Sequence, residues 1–185
     1  LYNYMAFVTD FRGLNVSIPK TQITTAEVNI AKGKRVIEGT FRDLREPGWQ
    51  GGGHLIGDTV LQRVTDGNLG YFSGMAHSGN IKAADQYAVV DLGHTYSLDG
   101  HSATWRRLAY PYYYEVHTSE DNKTWKLAIA MPSERISQGL NMRSNSGDPL
   151  VVTGGPFGER IKARYVKLLI PKGSQFYRKH SAWSN

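Results

Sequence analysis

One stretch of the chain decides the fold: residues 112–129, which read YYYEVHTSEDNKTWKLAI. Its first half is rich in aromatic and β-branched residues, and from Tyr114 onward polar and apolar residues alternate, which is typical of a half-buried β-strand. Asp121 and Asn122 tolerate the left-handed backbone that a tight turn requires, and alternation resumes at Trp125. The stretch therefore predicts a β-hairpin, with Trp125 as a large apolar side chain that fills one end of the core.

Two further segments show strand patterns. Residues 87–93 (YAVVDLG) form a short apolar run that closes on Gly93, which can adopt a positive φ. Residues 164–170 (RYVKLLI) begin as an alternating strand that Pro171 ends, because proline cannot donate a ladder hydrogen bond. With 20 Gly, 7 Pro and 11 Tyr in the chain, these patterns indicate an all-β fold cut by turns.

Length and composition bound the class of protein. The 185 residues, 40% of them hydrophobic, correspond to one ordinary globular domain that can build a core without covalent cross-links. The absence of Cys excludes disulfides, thiolate metal sites and a cysteine nucleophile. Many animal extracellular modules depend on disulfides, so an extracellular, secreted location would indicate a bacterial or viral protein.

The charge predicts an acidic partner. Lys and Arg number 22 against 16 Asp and Glu, a formal net charge of +6. The positive residues occur in pairs such as Lys34-Arg35, without the dense runs of a nucleic-acid-binding arm, so no nucleic-acid partner is expected. No stretch of about 18 apolar residues is present, so no transmembrane helix is predicted.

Long connections separate the predicted strands. They cover residues 43–58, 137–158 and 173 to the end, and we interpret them as a binding rim, since the loops of a β-sandwich gather at its two ends. Residues 1–25 contain strand-like pieces at 4–8 and 14–18 and are predicted to be an N-terminal linker or an extra strand. The domain proper is then predicted to span 26–185.

Five blocks of the chain, taken in order, resemble the discoidin or coagulation-factor C-type domain. They are residues 28–36 (VNIAKGKRV), 64–68 (VTDGN), 86–93 (QYAVVDLG), 114–125 (YEVHTSEDNKTW) and 163–168 (ARYVKL). The resemblance implies an antiparallel β-sandwich jelly roll of the galactose-binding-like class, most like a bacterial carbohydrate-binding module. It leaves residues 1–27 unexplained.

The resemblance also implies a structural Ca²⁺, which discoidin-type domains often hold in the loop that contains Asp-Gly. Carboxylate and backbone oxygens are the ligands that this cation prefers, and Asp66, Asn68 and Ser73 are the candidates here. The alternative is a plain β-turn, because Asp-Gly is a strong turn signal. Family members usually close the metal site with a Glu on the final strand, whereas this chain ends at Trp183-Ser184-Asn185.

Sugar-binding members of the family carry their ligand on the loops at one end. An aromatic ring lies under the apolar face of the sugar, and polar side chains bind the hydroxyls. The residues that match this mixture here are Trp49, His54, Trp105, Arg106, Arg107, Phe176 and Tyr177. The alternatives are a loop anchor for Trp49 and an ordinary solvated pair for Arg106 and Arg107.

No catalytic motif accompanies these residues. The chain lacks a nucleophile elbow, a phosphate-binding glycine loop, a dinucleotide fingerprint and a zinc-binding His spacing, so we expect no enzyme activity. The predicted function is a non-catalytic carbohydrate-binding module, covalently linked to other domains, that targets a larger secreted protein such as a polysaccharide-degrading enzyme to its polysaccharide. The +6 charge would suit an acidic polymer. The alternative is a discoidin domain that binds phospholipid membranes or a protein partner, although the missing Cys argues against the membrane-binding animal branch.

Overall fold

The computed structural model describes residues 3–7, 29–40, 61–67, 76–77, 84–106, 109–137, 139–143, 149–174 and 176–178. Within these ranges the chain forms ten strands and a short helix. They are β1 (Asn3–Phe7), β2 (Arg35–Gly39), β3 (Ala76–His77), β4 (Gln86–Arg106), β5 (Ala109–Pro111), β6 (Tyr113–Ser119), β7 (Lys126–Pro132), α1 (Ser133–Ser137), β8 (Leu140–Arg143), β9 (Pro149–Ile170) and β10 (Phe176–Arg178). These strands pair antiparallel, which confirms the predicted all-β class.

A long ribbon of β4 and β9 organises the sheet. The two strands pair from Gln86↔Ile170 to Arg106↔Leu150, with register shifts after Asp91 and after Leu98. Strands β2 and β6 flank the first half of the ribbon, and β7 extends the sheet beyond β6; β1 and β8 flank the second half. Register irregularities bend strands, which lets the same two strands serve both layers of a sandwich.

The core contains side chains from both halves of the ribbon. Val90 and Val166 from the first half belong to the same buried cluster as Leu98 and Val151 from the second. Tyr114 of β6 is also fully buried in this cluster. Burial of apolar surface is the main favourable contribution to folding, so the two halves stabilise each other.

The predicted hairpin is confirmed. Strands β6 and β7 pair antiparallel, and Asn122 in the turn has φ 60°. The Asp121 carboxylate accepts hydrogen bonds from the Thr124 and Lys123 amides at 2.7 and 2.8 Å. These bonds, that from Thr124 first, lower the pKa of Asp121, because they favour its ionised form.

The interpretation of Trp125 as a core residue is wrong. Its ring is only partly buried, and the Lys167 ammonium nitrogen lies 4.1 Å from the ring centroid. The cation is attracted electrostatically to the ring face, and both side chains are partly exposed. Trp125 therefore lies at the partly exposed surface against Lys167 of β9.

Two predicted strand boundaries are also wrong. Gly93 does have a positive φ of 92°, but β4 continues through it to Arg106. Residues 137–158, interpreted as a loop, contain β8 and the first part of β9. Within β9, Gly154 lies where β4 and β9 approach so closely that a Cβ would collide with the His101 carbonyl oxygen.

The first residues of the chain contribute to the sheet. Strand β1 pairs with β4, for example Tyr4↔Trp105 and Phe7↔Ser102, and with β3. The strand predicted at 4–8 overlaps β1, whereas the piece at 14–18 lies outside the described residues. The part of the chain that the structure describes contains no helix with the length and apolarity needed to cross a bilayer.

Candidate functional site

Three strand ends meet at one place, which we call the β5 corner: Arg106 at the end of β4, all of β5, and β10. Arg106 pairs with Ala109, and β10 pairs with β5 through Phe176↔Pro111 and Tyr177↔Tyr110. Three predicted ligand residues, Arg106, Phe176 and Tyr177, are therefore neighbours in the sheet although they are distant in sequence. The paired ends of β8 and β9 border the corner, because Arg106 also pairs with Leu150.

The bend that follows β5 presents the aromatic ring of Tyr112, which the sequence pattern predicted only as part of a strand. Tyr110 is partly buried and packs against the core, and Pro111 is buried. Tyr112 follows at a bend and is 36% exposed, one of the two exposed large hydrophobic side chains in the described residues. Proline removes a ladder hydrogen bond and favours a break in the strand, so Pro111 was the signal that separates Tyr112 from β6.

Trp105, another predicted ligand residue, is not exposed at the β5 corner. Its side chain is 0% exposed, its ring packs 5.0 Å from that of Tyr114, and its Nε1 donates a 2.7 Å hydrogen bond to Thr153 Oγ1. A ring with no accessible face cannot stack on a sugar. We therefore correct the assignment of Trp105 from ligand contact to core residue beneath the corner.

A buried hydrogen-bond network continues from Trp105. The Tyr114 hydroxyl lies 2.7 Å from Thr153 Oγ1 and 3.0 Å from His101 Nε2, and Thr153 Oγ1 donates to the Ala103 carbonyl at 3.3 Å. Buried polar groups that bond one another specify a single arrangement of a core. The network links β4, β6 and β9 and holds the strand that ends at Arg106.

Burial determines the protonation of this network. Burial, together with the smaller effect of the nearby positive charge of Arg135, lowers the pKa of His101 to about 4. Burial also raises the pKa of the Tyr114 hydroxyl above its ordinary value. Both groups are thus neutral at pH 7, and a neutral His101 can donate from Nε2 to the tyrosine oxygen. This buried network is suited to a structural role beneath the β5 corner.

The turn that holds Asp66 lies elsewhere on the sheet. Gly33 N donates to the Thr65 carbonyl at 2.6 Å, and Thr65 Oγ1 donates to the Lys34 carbonyl at 2.7 Å. The Gln62 side chain pairs with both backbone polar groups of Val36, at 2.9 and 3.0 Å. Asp66 is therefore held next to β2, at the exposed end of a fixed turn.

The described residues supply one carboxylate of the predicted calcium site. Asn68 and Ser73 lie outside them, and the described residues contain no group of three or more His, Asp or Glu placed to hold a metal ion. Trp49, His54 and Arg107 likewise lie outside the described residues. Calcium binding and the roles of these three residues stay predictions.

Two solved bacterial domains resemble the fold. One is CBM32-3 from a family 31 glycoside hydrolase of Clostridium perfringens, with 16% identity, TM-score 0.49, and coverage of 80% of this chain and 93% of that one. The other is CpGH89CBM32-4, produced by the same organism and solved in complex with GlcNAc-α-1,4-galactose, with 19% identity, TM-score 0.50, and coverage of 91% and 94%. No curated protein sequence matches the chain. The family model of the F5/8 type C domain matches residues 49–184, and the chain therefore belongs to the F5/8 type C, or discoidin, domain family.

Proposed function

We propose that the chain is a non-catalytic carbohydrate-binding module whose ligand site is the β5 corner. The observation that carries this proposal is that strand pairing brings Arg106 and Phe176 to β5, next to the exposed ring of Tyr112. Aromatic rings stack on the C–H face of a sugar, and guanidinium groups donate to its hydroxyls or carboxylates. The corner brings both residue types together on paired strands.

The fold relatives support the same class of ligand. The Clostridium perfringens domain with the TM-score of 0.50 was solved with a disaccharide, and both structural relatives are carbohydrate-binding modules by name. Modules of this kind raise the effective concentration of an attached enzyme at its polymer. We propose that this chain likewise serves a larger secreted protein and that the +6 charge directs it to an acidic polysaccharide.

The test is affinity electrophoresis against a panel of neutral and acidic polysaccharides. We expect the unmodified chain to be retarded by at least one polymer, and Tyr112→Ala and Arg106→Ala each to weaken that retardation about tenfold or more. Leu127→Ala is the matched control, because Leu127 is the other exposed large hydrophobic side chain among the described residues and lies on β7.

The control decides how the result is understood. An equal loss in Leu127→Ala would show that the contact is general surface hydrophobicity, and the corner would lose its assignment. Retardation by no polymer, together with pelleting on phospholipid vesicles, would favour the membrane-binding alternative.

We further propose that Asp66, together with Asn68 and Ser73, contributes to a structural calcium site. The hydrogen bonds that fix the turn from Gln62 to Asp66 support this role, because they hold the carboxylate in place before any ion arrives. Calcium is expected to raise the melting temperature of the unmodified chain and not that of Asp66→Asn. Glu120→Gln, an exposed carboxylate in the hairpin turn, is the control.

A further inference from the structure

Positive charge is concentrated where the β4–β9 ribbon bends. Five cationic side chains lie on the neighbouring segments 29–35 and 162–165, and we call them the basic patch: Lys32, Lys34, Arg35, Lys162 and Arg164. The carboxylates within segments 29–35, 61–67, 91–97 and 162–165 are Asp66 and Asp91. The patch therefore carries a surplus of positive charge.

Asp91 is shared by several of these cations. Arg164 donates from Nε and Nη2 to the two Asp91 carboxylate oxygens, each at 2.9 Å, and Arg35 lies directly opposite Asp91 on β2. The hydrogen bond from Arg164, with smaller effects from the Gly93 amide and the charge of Lys34, lowers the pKa of Asp91. One carboxylate thus interacts with two of the five cations, Arg164 and Lys34, which leaves positive potential at the surface.

The remaining cations are available to a partner. The side chains of Lys32, Arg35 and Lys162 are exposed. The two exposed large hydrophobic side chains of the described chain, Tyr112 and Leu127, lie outside the patch. A membrane-docking surface combines charge with apolar insertion, so a hydrated polyanion fits this surface better than a bilayer does.

The patch is well separated from the β5 corner along the sheet. It surrounds Asp91 and Tyr96, whereas the corner begins at Arg106 of the same strand. Ten residues of strand from Tyr96 to Arg106 correspond to about 33 Å of path. A polymer longer than this can contact both surfaces, and the second contact then adds to the first as an intramolecular event.

We propose that the basic patch is a second contact surface of this chain, which binds an anionic polysaccharide through its carboxylate or sulfate groups. The inference rests on the proposed carbohydrate-binding function but concerns different residues. Arg35 can bind a carboxylate or sulfate bidentately, and Lys32 and Lys162 supply point charges. Such contacts are weakened by salt, whereas stacking on an aromatic ring is not.

The experiment compares two triple variants of the full chain on polygalacturonate, on dextran sulfate and on the neutral polymers of the panel. The patch variant is Lys32→Gln/Arg35→Gln/Lys162→Gln, and the control is Lys123→Gln/Lys126→Gln/Lys172→Gln. All six side chains are exposed, and each triple removes three positive charges, so the two variants have the same net charge.

At low salt, we expect the patch variant to bind the polyanions at least about tenfold more weakly than the unmodified chain does. We expect it to bind any neutral polymer as the unmodified chain does. The control variant should change polyanion binding by less than about threefold. Equal losses in the two variants would overturn the proposal, because net charge alone would then explain the binding.

Two further outcomes separate this proposal from the proposed function. Binding of neutral polymers without binding of either polyanion overturns the basic patch and leaves the β5 corner standing. Polyanion binding that only the patch variant loses, with no neutral polymer bound and no effect of Tyr112→Ala, supports the patch and contradicts the corner.

The same variants are also tested on phosphatidylserine vesicles. If the patch variant keeps its binding to polygalacturonate but loses binding to these vesicles, the partner is a membrane and the proposal is overturned.

Discussion

The β5 corner and the basic patch lie at different points of the same strand and depend on different forces. Beneath the corner, Trp105, Tyr114 and Thr153 are buried and hydrogen-bonded to one another. The patch consists of long side chains at the surface, arranged around Asp91. Packing determines the shape of the corner, whereas the patch acts by charge and is screened over about 8 Å at physiological salt. The β5 corner is thus suited to selecting a ligand by its shape, and the basic patch is suited to attracting an anionic polymer.

The largest effect is expected at the support of the corner. Trp105→Ala should lower the free energy of unfolding by about 3–5 kcal/mol, because it opens a cavity and removes the donor to Thr153. Trp125→Ala should cost less than half as much, since that ring is partly exposed beneath Lys167. Urea denaturation of both variants measures the difference. Equal losses would mean that Trp125 supports the fold as strongly as Trp105 does.

The second prediction concerns the loss of folding stability at acid pH. His101 has an ordinary pKa of 6.5 and a folded pKa of about 4, so the unfolded chain binds the proton first as the pH falls. The stabilisation from neutral His101 is complete above pH 6.5 and is lost between pH 6.5 and 4, by about 3 kcal/mol in total. His101→Gln cannot titrate and should show a smaller loss of stability over this window. The same loss in parent and variant would exclude His101 as its source.

The smallest effect on stability is expected for Asp91→Asn in the basic patch. This change should lower the free energy of unfolding slightly but strengthen binding to polyanions. Asp91→Asn breaks the ion pair with Arg164, which is partly exposed, and should cost about 1 kcal/mol of unfolding free energy. The same change removes the carboxylate that the patch cations share, so retardation by polygalacturonate should increase two- to threefold. Stability is measured by urea denaturation at pH 7. Weaker polyanion binding by this variant would count against the basic patch.

Local features of the fold could be predicted from the sequence. The hairpin of β6 and β7 needs only strand alternation and a turn that accepts Asn122 at positive φ, and the strand through Val166 ends at Pro171 as expected. The predicted strands bury Val89, Tyr114, Val116 and Val166, and they partly bury Tyr87 and Tyr165. These features depend on neighbouring residues and on the period of the pattern.

Features that depend on distant neighbours could not be predicted in the same way. The sequence predicted Trp105 as a ligand contact and Trp125 as a core residue, but Trp105 lies against Tyr114 in the core and Trp125 is partly exposed beneath Lys167. Gly154 lies within β9, and only the close approach of β9 to His101 explains why a glycine is needed there. Tyr112 was missed as a ligand candidate because its exposure depends on the bend after Pro111.

The sequence by itself determined the family, the all-β class and the hairpin, because alternation, turn residues and the order of the five blocks are all written along the chain. Only the tertiary structure decided which candidates meet. Antiparallel pairing brings Phe176 beside Pro111 and Arg35 beside Asp91, and burial assigns Trp105 to the core. The physical reason is that register and burial result from contacts between residues far apart in the chain, which no local pattern specifies.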